Sequence, residues 1–209
     1  VGTQPRLINN SAYARGEVLA TARGAPSYES GAAVGGPLIA NVLGARVGAF
    51  MRHDGGYVDR VDPFTGATVD ANANRSHSEA ATAAIAFAPT DSLVIIPSIA
   101  YQSVDLHDSS AFYTYLSDPA HGVLKSGKLL QQWANDRYYL LSLKATAALR
   151  GVNLSTATGY FRRHALAMQD QTNVYRWPNP LGPEYPVSYA DAKPDIAGIV
   201  VTHGTDTLE

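Results

Sequence analysis

The sequence predicts an all-β chain, an antiparallel up-and-down meander that forms part of a transmembrane β-barrel. Three observations predict it. The first is the stretch from Arg137 to Arg163, which reads as two strands joined by a tight turn at Arg150-Gly151. On its first strand Tyr139, Leu141, Leu143, Ala145, Ala147 and Leu149 fall on one face, and Leu140, Ser142, Lys144 and Thr146 on the other. A period of two with one side unbroken apolar is the pattern of a strand between two different solvents. The second is the end of the hairpin, where Tyr160-Phe161 is followed by Arg162-Arg163, aromatic rings and then charge, as where a strand leaves hydrocarbon for water. The third is the spacing of the connections, which are short and long by turns.

Composition narrows the class. The 209 residues suffice for one domain. Charged residues are 16 %, below the quarter usual of soluble domains, and Tyr outnumbers Phe by 12 to 5. The formal net charge of −2 points to neither nucleic acid nor an anionic membrane surface as partner. Cysteine is absent, which excludes disulfides, thiol catalysis and Cys-ligated metals, and suits an oxidising compartment. There is no apolar run of the length a transmembrane helix needs. Val1 carries neither an initiator Met nor a leader, so the chain reads as an excised or mature piece.

The strands follow in order. Residues 1–11 are a lead-in and 12–209 the sheet, with its loops. Strand one spans 12–22, with Tyr13, Arg15, Glu17 and Thr21 opposite Ala14, Gly16, Val18 and Ala20. A turn at 23–27 leads to strand two, 28–38, with Ala32, Val34 and Leu38 on one side. Strand three, 44–53, sets Ala45, Val47, Ala49 and Met51 against Arg46, Gly48, Phe50 and Arg52. Two arginines on one face require water or carboxylates, so that face is no ordinary core. Strand four, 77–88, turns Ala83, Ile85 and Phe87 outward; its alanines suit a helix, but its β-type neighbours and the turn at 89–92 do not. Strand five, 93–104, places Leu93, Ile95, Ile99 and Tyr101 on one face, with an irregularity at Pro97. The hairpin supplies strands six and seven, and Ile199 begins one more.

Between strands two and three, four and five, and six and seven the connections are a few residues. Those at 54–76, 105–136 and 164–198 are long, which sends them all to one end of the sheet. Short turns at one end and long loops at the other are the habit of an outer-membrane barrel, with the long loops extracellular. A soluble β-sandwich binding module is the alternative, but it has no reason to segregate loop lengths. On the polar face Arg15, Glu17, Arg46, Arg52 and Lys144 form either an electrostatic lining for an anionic ligand or a solvated surface of mutual ion pairs. Tyr113, Tyr115 and Trp133 in the long loop either grip a ligand or pack on one another. Tyr101, Tyr139 and Tyr160 suit an interfacial girdle. The six histidines lack metal-ligand spacing, and in the adjacent pair His107-Asp108 the side chains point apart; no metal or cofactor is expected.

Five segments, in order, resemble the barrel of TonB-dependent outer-membrane receptors: QPRL at Gln4–Leu7, YESGAAVGGPL at Tyr28–Leu38, ARVGAFMRHDGGYVD at Ala45–Asp59, APTDSLVIIPSIAYQ at Ala88–Gln102 and STATGYFRR at Ser155–Arg163. The resemblance covers roughly Thr3 to Asp195. It implies import of a scarce, bulky nutrient across the bacterial outer membrane, with ferric siderophores the commonest cargo. It also implies an N-terminal plug that contacts the TonB energy-transducing complex, inside a barrel of about 22 strands. QPRL resembles the exit from such a plug. The plug, its TonB-contact segment and the closing strands are not among these residues.

A second, shorter resemblance lies at Asp195 to Glu209, DIAGIVVTHGTDTLE, which is similar to the second signature of bacterial-type L-asparaginases. It implies a buried parallel strand over Ile196 to Val201 and an active-site pair at Thr205 and Asp206, part of an amidohydrolase. The glycine-rich segment with that family's nucleophilic threonine is not found, so no enzymatic role is expected from the chain as a whole.

Overall fold

In a computed structural model of the chain, the residues described are Leu7, 9–170 and the backbone of 199–201. They form an all-β structure dominated by one antiparallel meander. Its strands are β1 (Ser11–Leu19), β2 (Ser27–Ile39) and β3 (Leu43–Asp54). Inside the next connection lie the short β4 (Asp59–Val61) and β5 (Thr68–Asp70). The meander resumes with β6 (Ser76–Thr90) and β7 (Leu93–Leu106), crosses a loop containing β8 (Lys125–Ser126), and continues with β9 (Ala134–Leu149), β10 (Val152–Gln169) and β11 (Ile199–Val201). The order across the large sheet is β1-β2-β3-β6-β7-β9-β10-β11, each neighbour antiparallel. Among the described residues the sheet does not close on itself.

Short turns lie at one end and the long connections 55–75 and 107–133 at the other, as the sequence predicts; of the third expected loop, 171–198 lie outside the described residues. Residues 40–42, 91–92 and 150–151 make the turns at one end. Asn41 and Gly151 supply the left-handed backbone that two of those turns need. Pro97 is accommodated within β7. The ladder to β9 runs through it without a break, whereas pairing with β6 steps from Ser98 to Ile95, where the ring offers no N–H.

Several boundaries differ from expectation. β1 ends at Leu19, so 20–22 belong to the first connection. β7 runs on to Leu106 and β9 starts at Ala134, which shortens the expected loop 105–136. β10 reaches Gln169, so 164–169 are strand and not loop. In the extensions of β9 and β10 charged side chains stand on both faces, Arg137 and His164 on one and Asp136 and Arg163 on the other. Hydropathy alternation therefore fades while the hydrogen-bond ladder continues. The short strands in the loops carry no periodicity that would announce them. Ile199–Val201 pairs antiparallel with β10 at the end of the sheet, unlike the buried parallel strand that the asparaginase resemblance implies. Thr205 and Asp206 lie outside the described residues, as does most of the lead-in.

The two faces of the meander differ in chemistry. Register puts Ala12, Val34, Val47, Ala83, Ile99, Leu141 and Tyr160 in one row across seven strands. Rows on the same face continue toward the turns through Ala45, Ile85, Pro97 and Leu143, and then through Leu43, Phe87, Ile95 and Ala145. From the row of Tyr101 and Tyr139 down to the turns, β1 to β9 place no charged residue on this face. Its side chains are uncovered: Val34 is 56 % exposed, Val47 51 % and Tyr160 56 %. The fully buried side chains, Val58 and Val61, lie instead in the loops.

Candidate functional site

The polar face carries the first part of the site. Because neighbours in register share a face, Tyr13, Arg15 and Glu17 of β1 stand beside Ala33, Gly31 and Glu29 of β2, and these beside Gly48, Phe50 and Arg52 of β3. Glu17 and Glu29 are direct cross-strand partners, an arrangement that repels unless cations intervene. Arg15 intervenes, pairing with Glu17 at 3.0 Å and with Glu29. Arg52 reaches Glu29 at 3.3 Å and Asp54 at 2.7 Å, and Ser76 Oγ donates to Asp54 at 3.1 Å. The result is an alternating ladder of charge across β1, β2, β3 and β6. Glu29, 6 % exposed, sits at its centre.

Below that ladder the polar face is smooth. Arg46 lies over Gly35, where an added Cβ would stand 2.8 Å from the Arg46 Cβ, and its Nη1 donates to Ser11 Oγ at 2.9 Å. Glycine at 35 is what allows the stem to lie flat there. Ser98 and Ser142, direct partners, bond through their hydroxyls at 2.7 Å, and Tyr138 donates to Gln102 at 3.1 Å. Lys144 faces the same side between Ile96 and Ala157. Arg46 and Lys144 make no ion pair among the described residues, unlike Arg15 and Arg52. Of the three predicted basic ligand residues, Arg52 is thus committed to carboxylates and the other two are not.

The second part is a folded cap built from the long loops. Asp62 accepts from the backbone N–H groups of Phe64 and Thr65 at 2.8 and 3.0 Å, and Gly66 takes a positive φ, which closes the turn between β4 and β5. β4 pairs antiparallel with β5 and parallel with β8, joining the two loops in one small sheet. Asn74 Oδ1 accepts from the N–H groups of Tyr57 and Val58 at 2.7 and 2.8 Å. Val58, Val61 and Ala73 fill the interior. The buried pair Arg60–Asp108, at 3.2 Å, also ties loop to loop. Asp108 Oδ1 accepts from the N–H of Gln132 as well.

His107 and Asp108 do point apart. While Asp108 turns to Arg60, His107 Nε2 lies 2.9 Å from Asp70 Oδ2 and 2.6 Å from Arg75 Nη2. Arg75 pairs with Asp70 at 3.0 Å. Partial burial raises the Asp70 pKa, but hydrogen bonds from Arg75 and His107 outweigh it and hold the carboxyl below its ordinary range. Among the described residues no group of three or more His, Asp or Glu is placed to hold a metal ion.

The predicted aromatic residues divide. Tyr113 and Tyr115 stack on each other, centroids 5.5 Å apart and planes 12° from parallel, and Tyr115 is 73 % exposed. Trp133 lies at the foot of β9, where its carbonyl accepts from Met168 N–H at 2.8 Å. The girdle tyrosines gather: Tyr101 and Tyr139 are direct partners, and the rings of Tyr139 and Tyr160 lie 6.2 Å apart. Sequence reading passed over Glu29, though its position on the polar side of β2, beside a strand with two arginines, was a usable signal. Arg60, Asp108 and Asp70 gave none, because their partners lie far along the chain.

Compared with protein-family models, with curated proteins and with solved structures, the chain matches none.

Proposed function

We propose that the chain is a membrane-spanning part of an outer-membrane β-barrel that imports a bulky nutrient, in the manner of TonB-dependent receptors. The observation that carries the membrane reading is the uncovered face without charge. From Tyr139 to Leu149, ten residue steps of about 3.3 Å give about 33 Å of strand. Tilted by about 40°, that is about 25 Å, the height of a barrel's apolar band. Six strand spacings make the face about 29 Å wide across the strands, so with about 33 Å of strand it covers on the order of 900 Å², more than a typical soluble monomer exposes in one patch. Tyrosines line its loop-side border. The loops beyond are folded and polar, and suit the extracellular end.

The import reading rests on the resemblance and on the polar face. Arg46 and Lys144, without carboxylate partners, would draw an anionic ferric siderophore, and the TonB complex would act through a plug that these residues do not include. No catalytic role is proposed.

The test uses single-cysteine variants, which the cysteine-free chain makes clean. A fluorophore at Val47, Ile99 or Leu141 in vesicles with brominated acyl chains is expected to be quenched, and one at Gly48, Ala100 or Leu140 to stay bright. Equal quenching on the two faces would remove the membrane reading. For cargo, an anionic ferric tris-catecholate is expected to bind more tightly than a neutral ferric hydroxamate. Loss of that preference in R46Q/K144Q would assign it to the two cations, and no preference in the parent would set the anionic cargo aside.

A further inference from the structure

We infer that the apolar face ends, on β9 and β10, in a binding site for the phosphate of an anionic lipid headgroup, formed by Arg137, Arg162 and His164. This rests on the membrane reading above. All three residues are exposed and belong to the apolar side by register: Arg162 is the direct partner of Tyr139, and His164 of Arg137. Arg162 stands in the tyrosine row and Arg137 and His164 in the next row outward, at the depth where headgroups begin.

Among the described residues none of the three holds a carboxylate, and unlike Arg46 and Lys144, which are also unpaired, they stand on the apolar side. Arg15, Arg52, Arg60, Arg75 and Arg163 each hold a carboxylate. Arg163 is instructive, since it neighbours Arg162 in sequence but points to the polar face, where it pairs with Asp136 at 2.6 Å. Among the described residues Arg162 lies against Tyr139, its cross-strand partner, and Arg137 donates to the side-chain oxygen of Asn135 at 3.2 Å; neither is paired with a carboxylate. On this face β9 and β10 offer no acid near them. Among the described residues the acids on this side of the neighbouring strands are Glu79 on β6 and Asp105 on β7, the latter engaged by Asn135.

Two cationic side chains set directly opposite each other repel whenever His164 is protonated, unless an anion lies between them. A phosphate supplies that anion and accepts the planar fork of a guanidinium in two parallel bonds. The rings of Tyr139 and Tyr160 floor the site beside the acyl chains. The overall charge of −2 gives no sign of such a local cluster of cations.

The experiment is lipid selectivity at the protein surface. The full chain is folded into phosphatidylcholine vesicles containing a trace of spin-labelled phosphatidic acid or spin-labelled phosphatidylcholine, and the motionally restricted fraction of each is read by electron spin resonance. Phosphatidic acid is expected to be enriched about threefold over phosphatidylcholine, and R137Q/R162Q/H164Q to bring the ratio near one. The conservative R137K/R162K is expected to retain part of the enrichment. Restricted phosphatidylcholine without enrichment of phosphatidic acid, or enrichment unchanged in the triple variant, would overturn the site and leave the membrane reading standing. No restricted lipid of either kind would overturn both. Displacement of the labelled lipid by millimolar inorganic phosphate would assign the cluster to a soluble anion instead.

Discussion

Arg52 faces Glu29 directly across the ladder between β2 and β3, and its guanidinium reaches that buried carboxylate at 3.3 Å. The pair is the middle of a network that runs from Glu17 through Arg15, Glu29 and Arg52 to Asp54. Glu29→Gln leaves two cations facing each other across a neutral amide. The arginines are about half exposed, so water screens part of the loss, and a destabilisation of about 1–3 kcal/mol is expected. Arg15→Gln, which removes the more exposed partner, is expected to cost less, because water screens that pair. Urea midpoints of the folded chain measure both, and equal effects would mean that the burial of Glu29 carries no weight.

The apolar face predicts an asymmetry between neighbours in sequence. Ile99→Arg and Leu141→Arg are expected to destabilise the bilayer-folded chain by about 2–4 kcal/mol. Ala100→Arg, one residue along on the polar face, is expected to cost far less. On a soluble sheet, by contrast, arginine at the exposed Ile99 would shift stability by only about 0.5 kcal/mol. Unfolding titrations in lipid vesicles distinguish the two.

Acid is expected to loosen the cap. The Asp70 carboxyl titrates lower in the folded chain than the ordinary value of 3.8. Its contribution is therefore complete above that value, declines as pH falls below it, and is gone below the lowered folded pKa. Amide exchange around Val58, Val61 and Ala73 should accelerate as pH falls through this window, after correction for intrinsic rates. Asp70→Asn should exchange faster at neutral pH and lose that acid dependence. Retention of the full dependence in the variant would assign it to another carboxylate.

Two glycines in adjacent strands should respond oppositely to alanine. At Gly35 the new Cβ would stand 2.8 Å from the Ala45 carbonyl oxygen and from the Arg46 Cβ, so backbone or Arg46 must shift, at about 1–3 kcal/mol. At Gly16 nothing lies within 4 Å, and alanine is expected to be neutral or to stabilise by about 0.4–1 kcal/mol. Thermal or urea unfolding of the two variants checks the contrast.

Much of the sheet was legible because alternation is written locally. Each strand of the meander could be found from the side on which Val, Ile, Leu and Ala recur. The turns expected at 39–43, 89–92 and 150–151 contain those found at 40–42, 91–92 and 150–151. Legibility failed where charge stands on both faces: the outer ends of β9 and β10 carry Arg137 and His164 on one side and Asp136 and Arg163 on the other, and only the backbone ladder continues through them. It failed also in the loops, where β4 finds β8 more than sixty residues away.

The sequence by itself determined the strands, their faces and the segregation of the loops, because the pleat fixes side-chain direction residue by residue. Only the tertiary structure decided which charges are spent on one another. Arg52 and Arg46 share a face of one strand, yet register sets Arg52 beside Glu29 and Arg46 beside Gly35. Likewise Arg162 and Arg163 are adjacent in sequence, and the pleat sends one to Tyr139 and the other to Asp136. An ion pair depends on which strands are neighbours and at what offset, and that is a property of the folded sheet.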